Sequence, residues 1–162
     1  MLKHALSLLF AVSPSITYAL VRRRLEDIIP LNKLLGIEIV TVAVGTAEAR
    51  LPFRTEVTNH IGSMHATAIF GLAEAASGSA MSGAFAPVAL SIRPVAASAA
   101  LTFLKIARSD LVAHATTSEP SEQLRAKLAA SGKVVFDVVV KVRDIAGADI
   151  AQMTVAWHVT KK

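Results

Sequence analysis

The chain reads as an α+β domain of antiparallel strands around one long central helix, and two stretches carry that reading. Residues 59–83 pass from a polar loop into a segment that is small and apolar on almost every side and holds a single carboxylate, Glu74. Residues 134–159 alternate apolar and polar side chains through two segments parted by a turn at 144–148, the period of paired strands with one wet face. A length of 162 residues suits one domain with a substantial core.

Composition narrows the classes. A hydrophobic fraction of 53% and a mean hydropathy of +0.53 exceed what one small core hides, which points to burial between copies of the chain. The count of Cys 0 excludes a disulfide framework, a thiolate zinc site and a cysteine nucleophile. It fits a reducing compartment, and a cytoplasmic location is expected. A formal charge of +5 suits a polyanionic partner. The basic residues are nevertheless spread along the chain, and aromatics at 5% are too few to build stacking platforms, so no nucleic-acid partner is expected.

In chain order, residues 1–34 form an N-terminal helical arm and residues 35–162 the domain proper. The arm holds an apolar run from Ala5 to Leu20, broken by Ser13 and Pro14 and followed by Arg22-Arg23-Arg24. The run is shorter than a membrane span and contains a proline. A secretory signal would place its positive charges before the apolar core. What remains is an amphipathic arm of one or two helices parted near Pro14, packed on the body or in contact with a membrane surface. From Ile37 the pattern becomes β-branched, Gly45 marks a turn, and Ala47, Ala49, Leu51 and Phe53 share one face of the returning strand.

The loop and long helix follow, about 19 residues, with Ser63 expected as N-cap and Gly83 as the residue just past the end. Residues 84–97 admit an extended segment around Val88 to Ile92. Ser98 to Ile106 and Asp110 to Thr117 read as strands joined by a turn at Ala107-Arg108-Ser109. Pro120 to Gly132 reads as a short helix with Ser121 as N-cap and Leu124 and Leu128 on one face. Two strands close the chain, with Val134, Phe136, Val138, Val140 and Val142 on one face of the first. In the second, Ala151, Met153, Val155, Trp157 and Val159 share a face.

A carboxylate inside an apolar helix is costly to keep ionised unless it is paired, exposed to a cleft or chemically employed. The start of a helix, here near Ala66 and Thr67, offers unsatisfied amides and the positive end of the dipole to a developing oxyanion. Ala66 and Glu74 are eight residues apart, about 12 Å along one helix. That is too far for both to act on one carbonyl, so if both are catalytic they come from two chains and an isolated monomer is inactive. His65, nine residues before Glu74, lies nearly opposite it on the helix. His60 reads as a solvated loop residue; His4, His114 and His158 are dispersed singles without ligand spacing, and no metal is expected. Lys105 and Arg108 stand at a strand end and read first as an exposed basic turn.

The loop and helix Asn59-His60-x-Gly62-x-x-His65-Ala66, the helical Leu72-Ala73-Glu74-Ala75-Ala76-Ser77, residues 103–113 and the closing Gly147-x-x-Ile150-Ala151-Gln152-Met153-Thr154 together resemble the hotdog-fold acyl-CoA thioesterases of the phenylacetate-pathway (PaaI-like) type. The resemblance covers roughly Leu35 to the C-terminus. It implies a curved antiparallel sheet wrapped around the helix, and protomers joined into homodimers or homotetramers. It also implies thioester hydrolysis, with coenzyme A entering only as part of the substrate and no separate cofactor. On this resemblance Glu74 and Asn59 are the catalytic residues; Gly62, His65, Ala66, Thr67, Gly71 and Ser77 contact substrate. The family's His-Gly-Gly step is here His65-Ala66-Thr67, in which Ala still presents its amide. The alternative is a hotdog module that binds an acyl or CoA group without turnover. A dehydratase, which pairs a His with an Asp, fits less well.

Overall fold

A computed structural model describes Phe10 and residues 12–162. Helix α1 (Pro14–Ile28) begins with proline at its first position, where the missing amide costs nothing. Helix α2 (Pro30–Leu35) ends at Gly36 in the left-handed region, φ 70. From Pro14 onward the arm is thus two helices, α1 and α2; the expectation of a further helix before Pro14 falls largely on residues outside those described.

Strands β1 (Glu38–Ala43) and β2 (Thr46–Leu51) form the first hairpin. Helix α3 (Ala66–Ala84) follows, then a 3-10 turn at Ala86–Ser91 and β3 (Ile92–Phe103). The chain closes with β4 (Leu111–Thr117), α4 (Ser121–Ser131), β5 (Lys133–Asp144) and β6 (Asp149–Lys161). All six strands pair antiparallel in one sheet of order β1-β2-β4-β5-β6-β3. This is the expected curved sheet around a helix.

The inward faces are those of the sequence pattern. Ala47, Ala49 and Leu51 of β2, Leu111, Ala113 and Ala115 of β4, and the alternating valines of β5 are buried. Alanines of the sheet share one buried core with Ala68, Ala73, Ala76 and Ala80 of α3, and such small side chains let a helix lie close to the strands. Contact is closest at Gly83, where a Cβ would overlap the Ala43 carbonyl oxygen. Gly83 is therefore a helix-interior residue required by packing, and the helix runs on to Ala84 with Phe85 as its C-cap.

Three other boundaries depart from the sequence reading. Residues near Val88 are a 3-10 turn, and β3 begins at Ile92, well before Ser98. Strands β3 and β4, consecutive in sequence, lie apart: β3 pairs only with β6 at a sheet edge, while β4 sits between β2 and β5. Helix α4 has Pro120 at its N-cap, and Ser121 is its first residue, with a buried hydroxyl that finds no partner among the described residues. Among the described residues nothing pairs with the outer edge of β3, a 12-residue strand whose residues 93–100 are exposed. Such an edge is a template for pairing with another chain.

Candidate active site

The loop before α3 is organised by Asn59. Its Oδ1 accepts the backbone N–H groups of Ile61 and Ser63, each at 3.1 Å, and its Nδ2 donates to Ser63 Oγ at 2.9 Å. The backbone closes the same turn, with Asn59 N–H on Ser63 O at 2.8 Å and Gly62 N–H on Asn59 O at 3.0 Å. Gly62 takes φ 68, a left-handed angle that an L side chain resists. Asn59 is thus a loop-forming residue whose amide is spent within the loop, and buried Ser63 is its partner rather than the helix cap. Met64 N–H then bonds Ala107 O at 2.8 Å, tying the loop to the β3–β4 connection.

The cap is His65. Its backbone is extended and its Nδ1 accepts the Thr67 N–H at 3.1 Å. That bond places the ring proton on Nε2 and occupies one of the helix-start donors. The Ala68 and Ile69 amides bond to His65 O. The Ala66 N–H has no acceptor among the described residues, so it is the donor left facing solvent. It borders a groove of about 390 Å³ whose walls include Ala66, Ile69, Met64, Phe103, Leu104 and Ile106. Lys105 also lines this groove, whereas exposed Arg108 does not. His60 is at the exposed loop tip.

Helix α3 is buried on every side except one stripe. Ala66, Thr67, Phe70, Gly71, Glu74, Gly78 and Ser82 are its partly or fully exposed members. Glu74 is half-buried there, and burial pushes its carboxyl above the usual carboxylate range. No arginine pairs with it among the described residues. The carboxylate is therefore partly desolvated without a compensating charge, the condition in which a carboxyl becomes a stronger base.

Within the single protomer Ser77 and Gly71 have neighbours of their own. Ser77 is fully buried; its hydroxyl donates to the Glu74 carbonyl at 2.9 Å and accepts the Trp157 indole N–H at 3.3 Å. It fastens the helix turn that bears Glu74 to β6. The space above Gly71 is filled by Leu35 of α2, whose Cδ1 would lie 2.7 Å from an added Cβ. Within one protomer the structure thus brings Asn59, Gly62, His65, Ala66 and Thr67 together at the helix start, and leaves Glu74 two turns further along. From sequence Ser63 is expected only as the helix cap, Trp157 only as a residue on one face of the last strand, and Phe103, Leu104 and Ile106 only within the resembling stretch 103–113; none is expected at the site. Only Ser63, four residues from Asn59 in a turn-forming loop, carried a local signal. Among the described residues no three His, Cys, Asp or Glu side chains gather as metal ligands.

Comparison with known proteins places this geometry. Residues 18–159 match the family model described as "Domain of unknown function (DUF4442)", so the match begins inside α1. No curated protein matches the chain. Among solved structures, a Pseudomonas aeruginosa protein of unknown function, described as a probable thioesterase, is similar at 24% identity and TM-score 0.76, over 89% of this chain and 95% of that one. A thioesterase family protein from Silicibacter pomeroyi aligns at 21% identity and TM-score 0.73, over 90% and 99%. The E. coli PaaI protein from the phenylacetic acid degradation operon aligns at 19% identity and TM-score 0.69, over 89% and 94%. The architecture shared with them is the hotdog fold.

Proposed function

We propose that this chain, which belongs to the DUF4442 family of domains, is a thioester hydrolase acting on an acyl-CoA or similar acyl-carrier substrate. The observation that carries the reading is Glu74: a half-buried carboxylate without a counter-charge among the described residues, on the one uncovered stripe of an otherwise buried helix. The names of the solved structures with the same fold agree with it.

In this reading the Ala66 amide of one protomer binds the thioester carbonyl oxygen at the positive end of α3. Glu74 of the partner subunit takes a proton from water, whose oxygen adds to the carbonyl carbon. The tetrahedral oxyanion collapses, the C–S bond breaks, and the thiolate leaves with the proton returned by the carboxyl. The products are a carboxylic acid and a free thiol. The apolar groove walls, Met64, Ile69, Phe103, Leu104 and Ile106, receive the acyl group.

Two chains are needed because Ala66 and Glu74 stand about 12 Å apart along one axis. The open edge of β3 and the uncovered stripe of α3 offer surfaces for a second copy, and the high apolar content of the chain agrees with a homodimer or homotetramer. One observation favours the non-catalytic binding module: His65 already occupies the Thr67 amide, so the oxyanion site has a single backbone donor.

Release of free thiol from acyl-CoAs of varied chain length and aromaticity, measured beside Glu74→Ala, tests the proposal. The expected result is turnover by the wild type and a loss of at least about a hundredfold in the variant. Equal turnover in both overturns the role of Glu74. Saturable acyl-CoA binding without turnover by the wild type selects the binding module.

A further inference from the structure

The arm and the body differ in charge. Met1 to Leu25 contain four Lys/Arg and no Asp/Glu, while residues 26–162 hold the other 13 of the 17 basic residues and all 12 acids. Acids begin only at Glu26 and Asp27, near the end of α1, so Met1 to Leu25 carries +4 of the net charge of +5, and the arm as a whole, residues 1–34, carries +3.

The same segment exposes aliphatic side chains that the body does not cover. Val12 is 84% exposed, Ile16 52% and Leu20 50%. Ile16, Ala19, Leu20 and Arg23 follow one another at three- and four-residue spacing, so they share a face of α1, and Arg24 borders it; all five are exposed. The opposite face is held down: Thr17 is buried, and Tyr18, Val21 and Leu25 pack on the core. Arg22 bonds Glu26 and the Ile39 carbonyl. Arg23 and Arg24 make no ion pair among the described residues.

From these observations we propose that the exposed face of α1 docks on a lipid bilayer bearing anionic headgroups. Val12, Ile16 and Leu20 enter the headgroup boundary, and Arg23 and Arg24 meet the lipid phosphates at its surface. Aliphatic side chains followed by unpaired arginines on one helix face form an interfacial amphipathic pattern. The long arginine stems lie along apolar surface while the guanidinium groups stay at the charged layer. A second copy of the chain on this face would bring two basic clusters together at a like-charge cost. A nucleic acid would meet the arginines but leave the aliphatic row exposed. The helix lies on the bilayer: no helix among the described residues is long and apolar enough to cross one. This inference uses no property of the hydrolase reaction and stands or falls separately from it.

Co-sedimentation of the full chain with sucrose-loaded vesicles tests it, using pure phosphatidylcholine against phosphatidylcholine with roughly one third phosphatidylglycerol. Binding to the anionic vesicles is expected to exceed binding to the neutral ones by at least about tenfold and to weaken at high salt. Arg23→Glu with Arg24→Glu should lower it at least about tenfold, and Ile16→Asp with Leu20→Asp should abolish it. Lys141→Glu, on an exposed body position, should leave it within about twofold. Thermal melts of each variant confirm folding, and the two arm variants act independently should one fail to fold. No binding of the wild type to anionic vesicles overturns the proposal, as does unchanged binding by both arm variants. So does equal loss in Lys141→Glu. If Ile16→Asp with Leu20→Asp lowers the solution mass while the wild type ignores vesicles, the face joins copies of the chain and the proposal fails.

Discussion

Replacing Ala66 with proline deletes the amide on which the reaction is proposed to depend and little else. Ala66 is the first residue of α3, the helical position where proline is best tolerated. The preceding His65 has φ −68 and ψ 138, the extended backbone that a following proline requires. The Ala66 side chain is exposed, so the ring meets solvent. Because the amide has no intramolecular acceptor among the described residues, no hydrogen bond of the fold is lost. Stability should therefore stay within about 0.5 kcal/mol of wild type. Catalysis should not: loss of one oxyanion donor costs about 2.7–4 kcal/mol of barrier, or about 10²–10³ in kcat.

The assay is thiol release under saturating acyl-CoA, with a thermal melt of the same preparation. Ala66→Gly, which keeps the amide, is the matched control and should retain most of its turnover. An Ala66→Pro protein that melts like wild type and turns over within about threefold of it refutes the oxyanion assignment. His65→Ala sharpens the result, since it frees the Thr67 amide at a cost of about 1 kcal/mol of helix capping. Partial recovery of kcat when His65→Ala is added to Ala66→Pro would place Thr67 as a reserve donor held out of use by the histidine.

Glu74→Gln should stabilise the protein against heat at neutral pH. Burial raises the folded carboxyl above 4.5, so the wild-type stability is fully present below that value and falls as pH rises through the folded pKa. The advantage of the glutamine should therefore vanish in melts near pH 4. Asp110 has the opposite sign: the Phe53 N–H and Arg50 hold its carboxyl below 3.8. Its contribution is present above that value and lost as pH falls through the folded pKa, so Asp110→Asn should destabilise at pH 7 and become neutral in acid. Gly83→Ala drives a methyl into the Ala43 carbonyl and should cost at least about 2 kcal/mol, read by urea unfolding. Ser77→Ala leaves the buried Trp157 indole N–H without its acceptor and should cost about 1–3 kcal/mol in the same measurement.

What the sequence disclosed and what it withheld divide by the range of the interaction. The inward faces of β5 and β6 follow from alternation within each strand, and Glu74 stands out because its own helix offers it no partner. Features decided by distant residues were hidden. Gly83 carries the local mark of a helix end, but the approach of β1, some forty residues earlier, makes it an interior residue. Ser77 is expected as a substrate contact, and nothing local shows that Trp157, 80 residues away, engages its hydroxyl. Ser63 has the better capping chemistry, yet Asn59 engages it, and the imidazole of His65 takes the cap. The groove walls at 103–106 come from a strand that crosses the sheet to pair with β6, a topology no local pattern encodes. The position of Glu74 extends the same logic one step outward. It has no charged partner among the described residues of its own protomer, and it lies on the partly exposed stripe of α3. If a second chain supplies the missing half, the residue most conspicuous in the sequence is the one whose function the single chain is least able to express.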